Sequence, residues 1–170
     1  MSRPPTINTV FLVNPASGNG ATGKRWPELA RRASALGLQG HTLLSERPGH
    51  LIELARTAVD NGATLVVAVG GDGTLNEVVN GVAGRGVELA TIPLGTGMDF
   101  GRTYEIPTKF EDAVRVALEG DVRTIDAGRV TYRTWAGEKA ERYFANVSSV
   151  GMSGAVAQRA NGMSKALGGK

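Results

Sequence analysis

Leu65-Val66-Val67-Ala68-Val69 runs directly into Gly70-Gly71-Asp72-Gly73-Thr74, after which Leu75, Val78, Val79, Val82 and Ala83 recur at helical spacing. A short, valine-rich run with no polar residue reads as a strand buried on both faces. The glycines permit a tight turn, and the i, i+3, i+4 recurrence beyond them reads as an amphipathic helix. A buried strand, a glycine turn and a helix make up half of a parallel crossover unit.

The same alternation extends in both directions. Upstream, Thr9 to Val13 is apolar and stops at Asn14-Pro15, and Trp26, Leu29, Ala30, Ala33 and Leu36 form a helical stripe closed by Gly37. His41 to Leu44 reads as a second strand, and Leu51, Leu54, Ala55, Ala58 and Val59 as a second helix stopped by Asn61-Gly62. Downstream, Leu89 to Ile92 is a strand running into Pro93-Leu94-Gly95-Thr96-Gly97, and Phe110, Ala113, Val114, Ala117 and Leu118 make a helix ended by Gly120. This order predicts an open, Rossmann-like α/β fold: a mostly parallel sheet with helices on both faces.

After Gly120 the pattern changes. Val122 to Tyr132 and Arg142 to Ser149 are extended runs separated by a polar turn at Ala136-Gly137-Glu138, which predicts a terminal antiparallel hairpin. The expected division is an α/β domain over residues 1–121, then over 122–170 a hairpin and crossover into a β-rich second domain that the chain lacks. Gly151 to Lys170 is small and polar, without a core stripe, and reads as an element cut off before its partner.

Composition narrows the chemistry. The 170 residues suit one ordinary domain and include no cysteine, which excludes disulfides, thiolate catalysis and cysteine zinc sites. Only His41 and His50 could serve as imidazoles. A formal charge of +3 permits attraction to phosphate groups or an anionic membrane surface. The basic residues are scattered and aromatics are 5%, so no nucleic-acid stripe is expected. No apolar run is long enough to span a bilayer, and Met1 to Thr9 carries no secretory core, so a cytoplasmic protein is expected.

Three glycine-rich loops fall at the carboxyl ends of predicted strands: Asn14 to Lys24, Gly70 to Thr74, and Pro93 to Asp99. In an open α/β sheet, ligands bind at that edge. Glycine lets the backbone approach an anion, and free N–H groups at a helix start point toward it, so phosphate binding is their natural common purpose. Two literal motif matches in the first loop are misleading. Gly18 to Gly23 satisfies a dinucleotide fingerprint, but Asn14-Pro15-Ala16-Ser17 separate it from the strand; Glu46, as a ribose-binding acid, keeps that reading open. Gly18 to Lys24 satisfies a P-loop pattern, but Arg25 stands where a magnesium-binding Ser or Thr belongs.

Asp72, a lone carboxylate among glycines, can hold magnesium directly or through water, or cap its helix. Asn76 and Glu77 fall in that helix's first turn, where an acid suits the dipole. Asp99 can cap a short helix through Gly101 to Tyr104 or face a reacting hydroxyl.

Taken together, Asn14-Pro15-Ala16-Ser17-Gly18, Gly70-Gly71-Asp72-Gly73-Thr74-Leu75-Asn76-Glu77 and Pro93-Leu94-Gly95-Thr96-Gly97-Met98-Asp99-Phe100 resemble the diacylglycerol kinase catalytic domain family. That superfamily also contains sphingosine and ceramide kinases and bacterial lipid kinases, and the motifs stand in its order from Val10 to about Gly154. The resemblance implies that ATP with Mg2+ lies across the loops, held by Asn14, Ser17, Gly18, Lys24, Ser45, Gly71, Asp72, Gly73, Thr74, Asn76, Glu77, Gly95 and Thr96. Arg25 is a further phosphate partner, Asp72 the metal-binding acid, and Asp99 the acid near the reacting phosphate.

The family usually has Asn where this chain has Met98, and methionine cannot replace an amide's hydrogen bonds. Family members also continue into a β-rich domain that supplies the general base and much of the lipid site. The expected activity is therefore phosphoryl transfer to a lipid hydroxyl such as that of diacylglycerol, with this chain alone inactive. Peripheral contact with the inner face of the membrane is expected, and an uncovered edge could promote a homodimer. The alternatives are an NAD kinase, which shares a similar Gly-Gly-Asp-Gly loop, a dinucleotide-binding oxidoreductase domain, and a non-catalytic nucleotide-binding module.

Overall fold

The computed structural model describes residues 8–95 and 98–148. Residues 1–7, Thr96, Gly97 and the segment 149–170, which includes the predicted end of the hairpin at Ser149, lie outside the described residues. Four strands, β1 (Thr9–Val13), β2 (His41–Leu44), β3 (Leu65–Gly70) and β4 (Glu88–Pro93), form one sheet in the order β2-β1-β3-β4. Every pairing in it is parallel. The crossovers are α1 (Ala21–Ala35), α2 (His50–Asp60) and α3 (Asp72–Val82), and β4 is followed by α4 (Asp99–Thr103) and α5 (Phe110–Glu119).

Side chains alternate across a strand, so the fully buried β1 and β3 each feed two cores. Phe11, Val13, Leu65, Val67 and Val69 pack on one face with Trp26, Leu29 and Ala33 of α1 and Phe110, Val114 and Ala117 of α5. Val10, Leu12, Val66 and Ala68 pack on the other with Leu51, Ala55 and Ala58 of α2 and Leu75, Val78, Val79 and Val82 of α3. Helices thus cover both faces, as the alternation predicts.

Two local expectations change. The first loop ends sooner than Lys24: α1 begins at Ala21, and Lys24 and Arg25 are exposed in its first turns. The helix starts early because it lies against Pro15, where Gly23 leaves room that a Cβ would fill at 2.8 Å from Pro15 Cβ. The hairpin is also shorter and shifted: β5 (Gly128–Arg133) pairs antiparallel with β6 (Lys139–Phe144), and residues 122–127 are exposed and outside either strand. Extended sequence with no neighbouring strand leaves its backbone groups to water, and no ladder forms.

Candidate functional site

The parallel register brings the ends of β1, β3 and β4 side by side, with Val13 opposite Val69 and Gly70 opposite Pro93. The loops leaving these ends are joined to one another by hydrogen bonds. Asn14 N–H donates to the Val69 carbonyl at 3.1 Å, and Leu94 N–H to the Gly70 carbonyl at 2.9 Å. Asn14 Nδ2 donates to the buried Thr74 hydroxyl at 3.2 Å, tying the first loop to the second. Ser17 Oγ lies 2.6 Å from Thr22 Oγ1, and the Thr22 hydroxyl reaches toward the Leu94 carbonyl at 3.4 Å, tying the first loop to the third. Ser45 joins the group from the end of β2, where its N–H donates to the Val13 carbonyl at 2.9 Å.

Asp72 opens α3, and its side chain crosses to the third loop. Its carboxylate oxygens each accept a backbone hydrogen bond at 3.1 Å, one from Asp99 N–H and one from Phe100 N–H. Asp72 therefore caps α4, a helix distant in sequence, rather than its own. Met98 is the N-cap residue of α4 and makes no side-chain cap. An Asn at that position would carry a capping oxygen of its own; with Met98 there, the carboxylate of Asp72 takes the task. Asp99 itself is exposed and pairs with Arg102 at 2.5 Å.

Glycine at two positions has distinct reasons. A Cβ on Gly95 would fall 2.5 Å from Gly71 Cα, so the second and third loops meet backbone to backbone. A Cβ on Gly73 would meet nothing within 4 Å. No packing among the described residues demands glycine there, and the first turn of α3 lies open beside Asn14, Thr74 and Asp72. Free N–H groups at such a helix start favour an anion.

Asn76 and Glu77 occupy different surroundings. Asn76 is exposed. Glu77 turns away to the start of α2, accepting from Gly49 N–H at 2.9 Å and from Leu51 N–H at 3.2 Å. Its carboxylate caps that helix, whose N-cap residue Gly49 has no side chain to do so. Glu46 is exposed, and its N–H donates to His50 Nδ1. Nearby, a hydrogen bond from Arg47 holds the Glu53 carboxyl below its usual range. Gly18, Asn19 and Gly20 all have positive φ, forming a left-handed turn ahead of α1.

Sequence reasoning did not single out Thr22 or Asn80. Asn80 is a buried amide in the apolar run of α3. A polar residue at a core-facing helical position is itself the signal that a partner must exist.

Magnesium usually retains several waters and needs only one or two protein carboxylates. Asp72, whose two carboxylate oxygens each accept one backbone hydrogen bond and keep a further lone pair, fits that requirement as a single ligand. Among the described residues, no three His, Asp or Glu side chains converge as a preformed metal cage.

An open parallel α/β sheet with three interlocked glycine loops at its carboxyl edge defines the class of this domain. The diacylglycerol kinase catalytic domain model matches residues 8–130. The chain belongs to that family. It is 31% identical over 143 residues to a diacylglycerol kinase of Staphylococcus saprophyticus, covering 83% of this chain and 44% of that one. A Staphylococcus aureus diacylglycerol kinase is 32% identical, with 83% and 42% covered. The crystal structure of a diacylglycerol kinase from Bacillus anthracis shares the fold with a TM-score of 0.64 at 24% identity, over 81% of this chain and 46% of that one. The chain thus spans less than half the length of these relatives.

Proposed function

We propose that this chain forms the nucleotide-binding part of a lipid kinase that transfers the γ-phosphoryl group of ATP to a hydroxyl of a diacylglycerol-like lipid. The observation that carries this reading is the open helix start at Gly73, flanked by Asp72, Asn14 and Thr74, in a chain of the diacylglycerol kinase catalytic domain family. The backbone around Gly71 to Thr74 receives phosphate oxygens, with Asn14, Ser17, Gly18, Ser45 and Gly95 lining the nucleotide and Lys24 and Asn76 at its margin; Thr96, outside the described residues, is read from the family motif as a further contact. Glu77 contributes by holding α2 against α3. Mg2+, held by Asp72 directly or through water, supplies neutralisation of the phosphate charge.

In the transfer the lipid hydroxyl oxygen bonds to the γ-phosphorus, the bond to ADP breaks, and the hydroxyl proton passes to a base. Asp99 is read, from the family motif it matches, as the acid near the transferring group. The base and the lipid pocket are expected in the part of the relatives beyond the matched region. Residues 122–170 are read as the passage into that second domain, and residues 1–170 alone are expected to bind nucleotide with little or no turnover. Access to a lipid substrate implies peripheral contact at the inner membrane face. No helix among the described residues is long and apolar enough to cross a membrane.

Calorimetric titration of the chain with ATP, ADP and NADPH, each with and without magnesium, tests the reading. Adenine-nucleotide binding that magnesium strengthens and Asp72→Ala weakens is the expected result. Tight NADPH binding with no response to ATP would overturn it in favour of the glycine run at Gly18.

A further inference from the structure

The tip of the β5–β6 hairpin carries Trp135 with a relative exposure of 103%. An indole is large and apolar, and one so fully exposed is unfavourable in water unless something else receives it. Its surroundings indicate what. Arg133 and Lys139 form the last rung of the hairpin, directly opposite each other in an antiparallel pair. Directly opposed residues share a face, and like charges there repel. Neither makes an ion pair with a described residue; Arg133 Nη1 instead donates to the Gly137 carbonyl within the turn at 3.0 Å. Arg129 and Arg142 add two more cations to the ribbon, against Glu138 and Glu141 as its only acids. Glu141 is occupied by Thr131 and Arg129. Tyr132, 39% exposed, lies three residues before the indole.

A bare tryptophan beside an uncompensated cationic rung, with Tyr132 on the ribbon's other face, matches one kind of surface. Trp and Tyr settle at the headgroup level of a bilayer, and Lys and Arg are drawn to anionic lipids. We propose that the hairpin tip, with Trp135 as its wedge and Arg133 and Lys139 as its charge contacts, is a docking point for an anionic phospholipid surface. The inference rests on the lipid kinase reading for its purpose: β6 is fastened to α3 through Asn80 and Tyr143, so a docked hairpin would tether the helix that begins at the loop cluster to the membrane. The occupant is specified by charge complementarity. A zwitterionic surface would satisfy the indole but leave the two cations unanswered.

The test is titration of the chain with vesicles of phosphatidylcholine, with and without phosphatidylglycerol, in the absence of diacylglycerol and nucleotide, followed by tryptophan fluorescence. Trp26 is buried against Phe11, so a lipid-dependent change reports Trp135. The expected result is a blue shift and quenching by brominated lipid with the anionic vesicles. Trp135→Ala should abolish the shift and weaken sedimentation with vesicles, and Arg133→Gln with Lys139→Gln should weaken it roughly 30-fold, since each such cation near the surface contributes a factor of about five.

An indole that stays in water at every lipid concentration would overturn the proposal. So would equal binding to both vesicle types, or binding indifferent to the substitutions. Because no acceptor lipid or ATP is present, the outcome is independent of the kinase reading. That reading fails separately, in the nucleotide titration, and would leave vesicle binding intact.

Discussion

The side-chain amide of Asn80 engages the Tyr143 backbone as a neighbouring strand would. Nδ2 donates to the Tyr143 carbonyl at 2.8 Å, and Oδ1 accepts from the Tyr143 N–H at 2.8 Å. Nδ2 also donates to the Asn76 carbonyl one helical turn back, which fixes the amide's orientation. One edge of β6 is thus satisfied by β5 and part of the other by a single side chain of α3. Closing an edge in this way keeps its backbone groups from pairing elsewhere.

Replacing Asn80 should release the hairpin. Asn80→Ala leaves the Tyr143 N–H and carbonyl unpaired at a half-buried site, a loss of about 1–3 kcal/mol. Asn80→Asp keeps the acceptor but sets a carboxylate against the Tyr143 carbonyl, so it should be at least as disruptive. Hydrogen exchange at the Tyr143 amide should accelerate in both variants. Unchanged protection would show that the hairpin is held by other contacts.

Asp72 and Met98 should be energetically coupled. Asp72→Ala uncovers two N–H groups at the start of α4, and a lost cap costs about 1 kcal/mol. Met98→Asn should recover part of that loss in the Asp72→Ala background, while doing little in the parent, where Asp72 already fills the role. Thermal unfolding of the four proteins in the cycle measures the coupling. Strict additivity would mean that the two residues do not share the α4 cap.

Glu77→Ala should destabilise α2 without emptying the nucleotide site. Removing a carboxylate that caps a helix start forfeits both hydrogen bonds and a favourable dipole contact, on the order of 1–2 kcal/mol. Faster exchange at Gly49 and Leu51 is expected, with ATP affinity retained well below the melting temperature. A nucleotide affinity that falls in step with loss of direct phosphate contact, at unchanged exchange rates, would return Glu77 to the site itself.

Gly73 and Gly95 should separate stability from binding. Gly73→Ala adds a methyl in open space within α3, which should stabilise the fold by up to about 1 kcal/mol while weakening ATP binding. Gly95→Ala forces the Gly71 backbone to move and should cost about 1–3 kcal/mol as well as affinity. Melting temperature and nucleotide titration on each variant distinguish the two. If Gly73→Ala bound ATP as tightly as the parent, the phosphates would lie elsewhere.

Much of the fold is legible in the order of residues. The apolar run at Leu65 to Val69, the helical recurrence after it and the glycine loops at strand ends are local signals. Backbone geometry translates such signals directly into elements and a parallel order. Less legible were the hairpin bounds, because extended sequence becomes a strand only when another strand lies beside it. The first loop is shorter than the sequence predicts, because Ala21 to Arg25 shows no apolar stripe and becomes helical by packing against Pro15.

The candidate site divides in the same way. Residue order alone sets which side chains stand at the carboxyl edge: Asn14, Asp72, Thr74, Asp99 and the glycines between them. It could not say whether Asp72 caps its own helix or another, where Glu77 points, or that Asn80 holds a residue 63 positions away. Those outcomes depend on hydrogen bonds between segments far apart in the chain. A carboxylate or amide accepts any N–H that packing brings within reach, and its partner is chosen only when the sheet register and the helix positions are set.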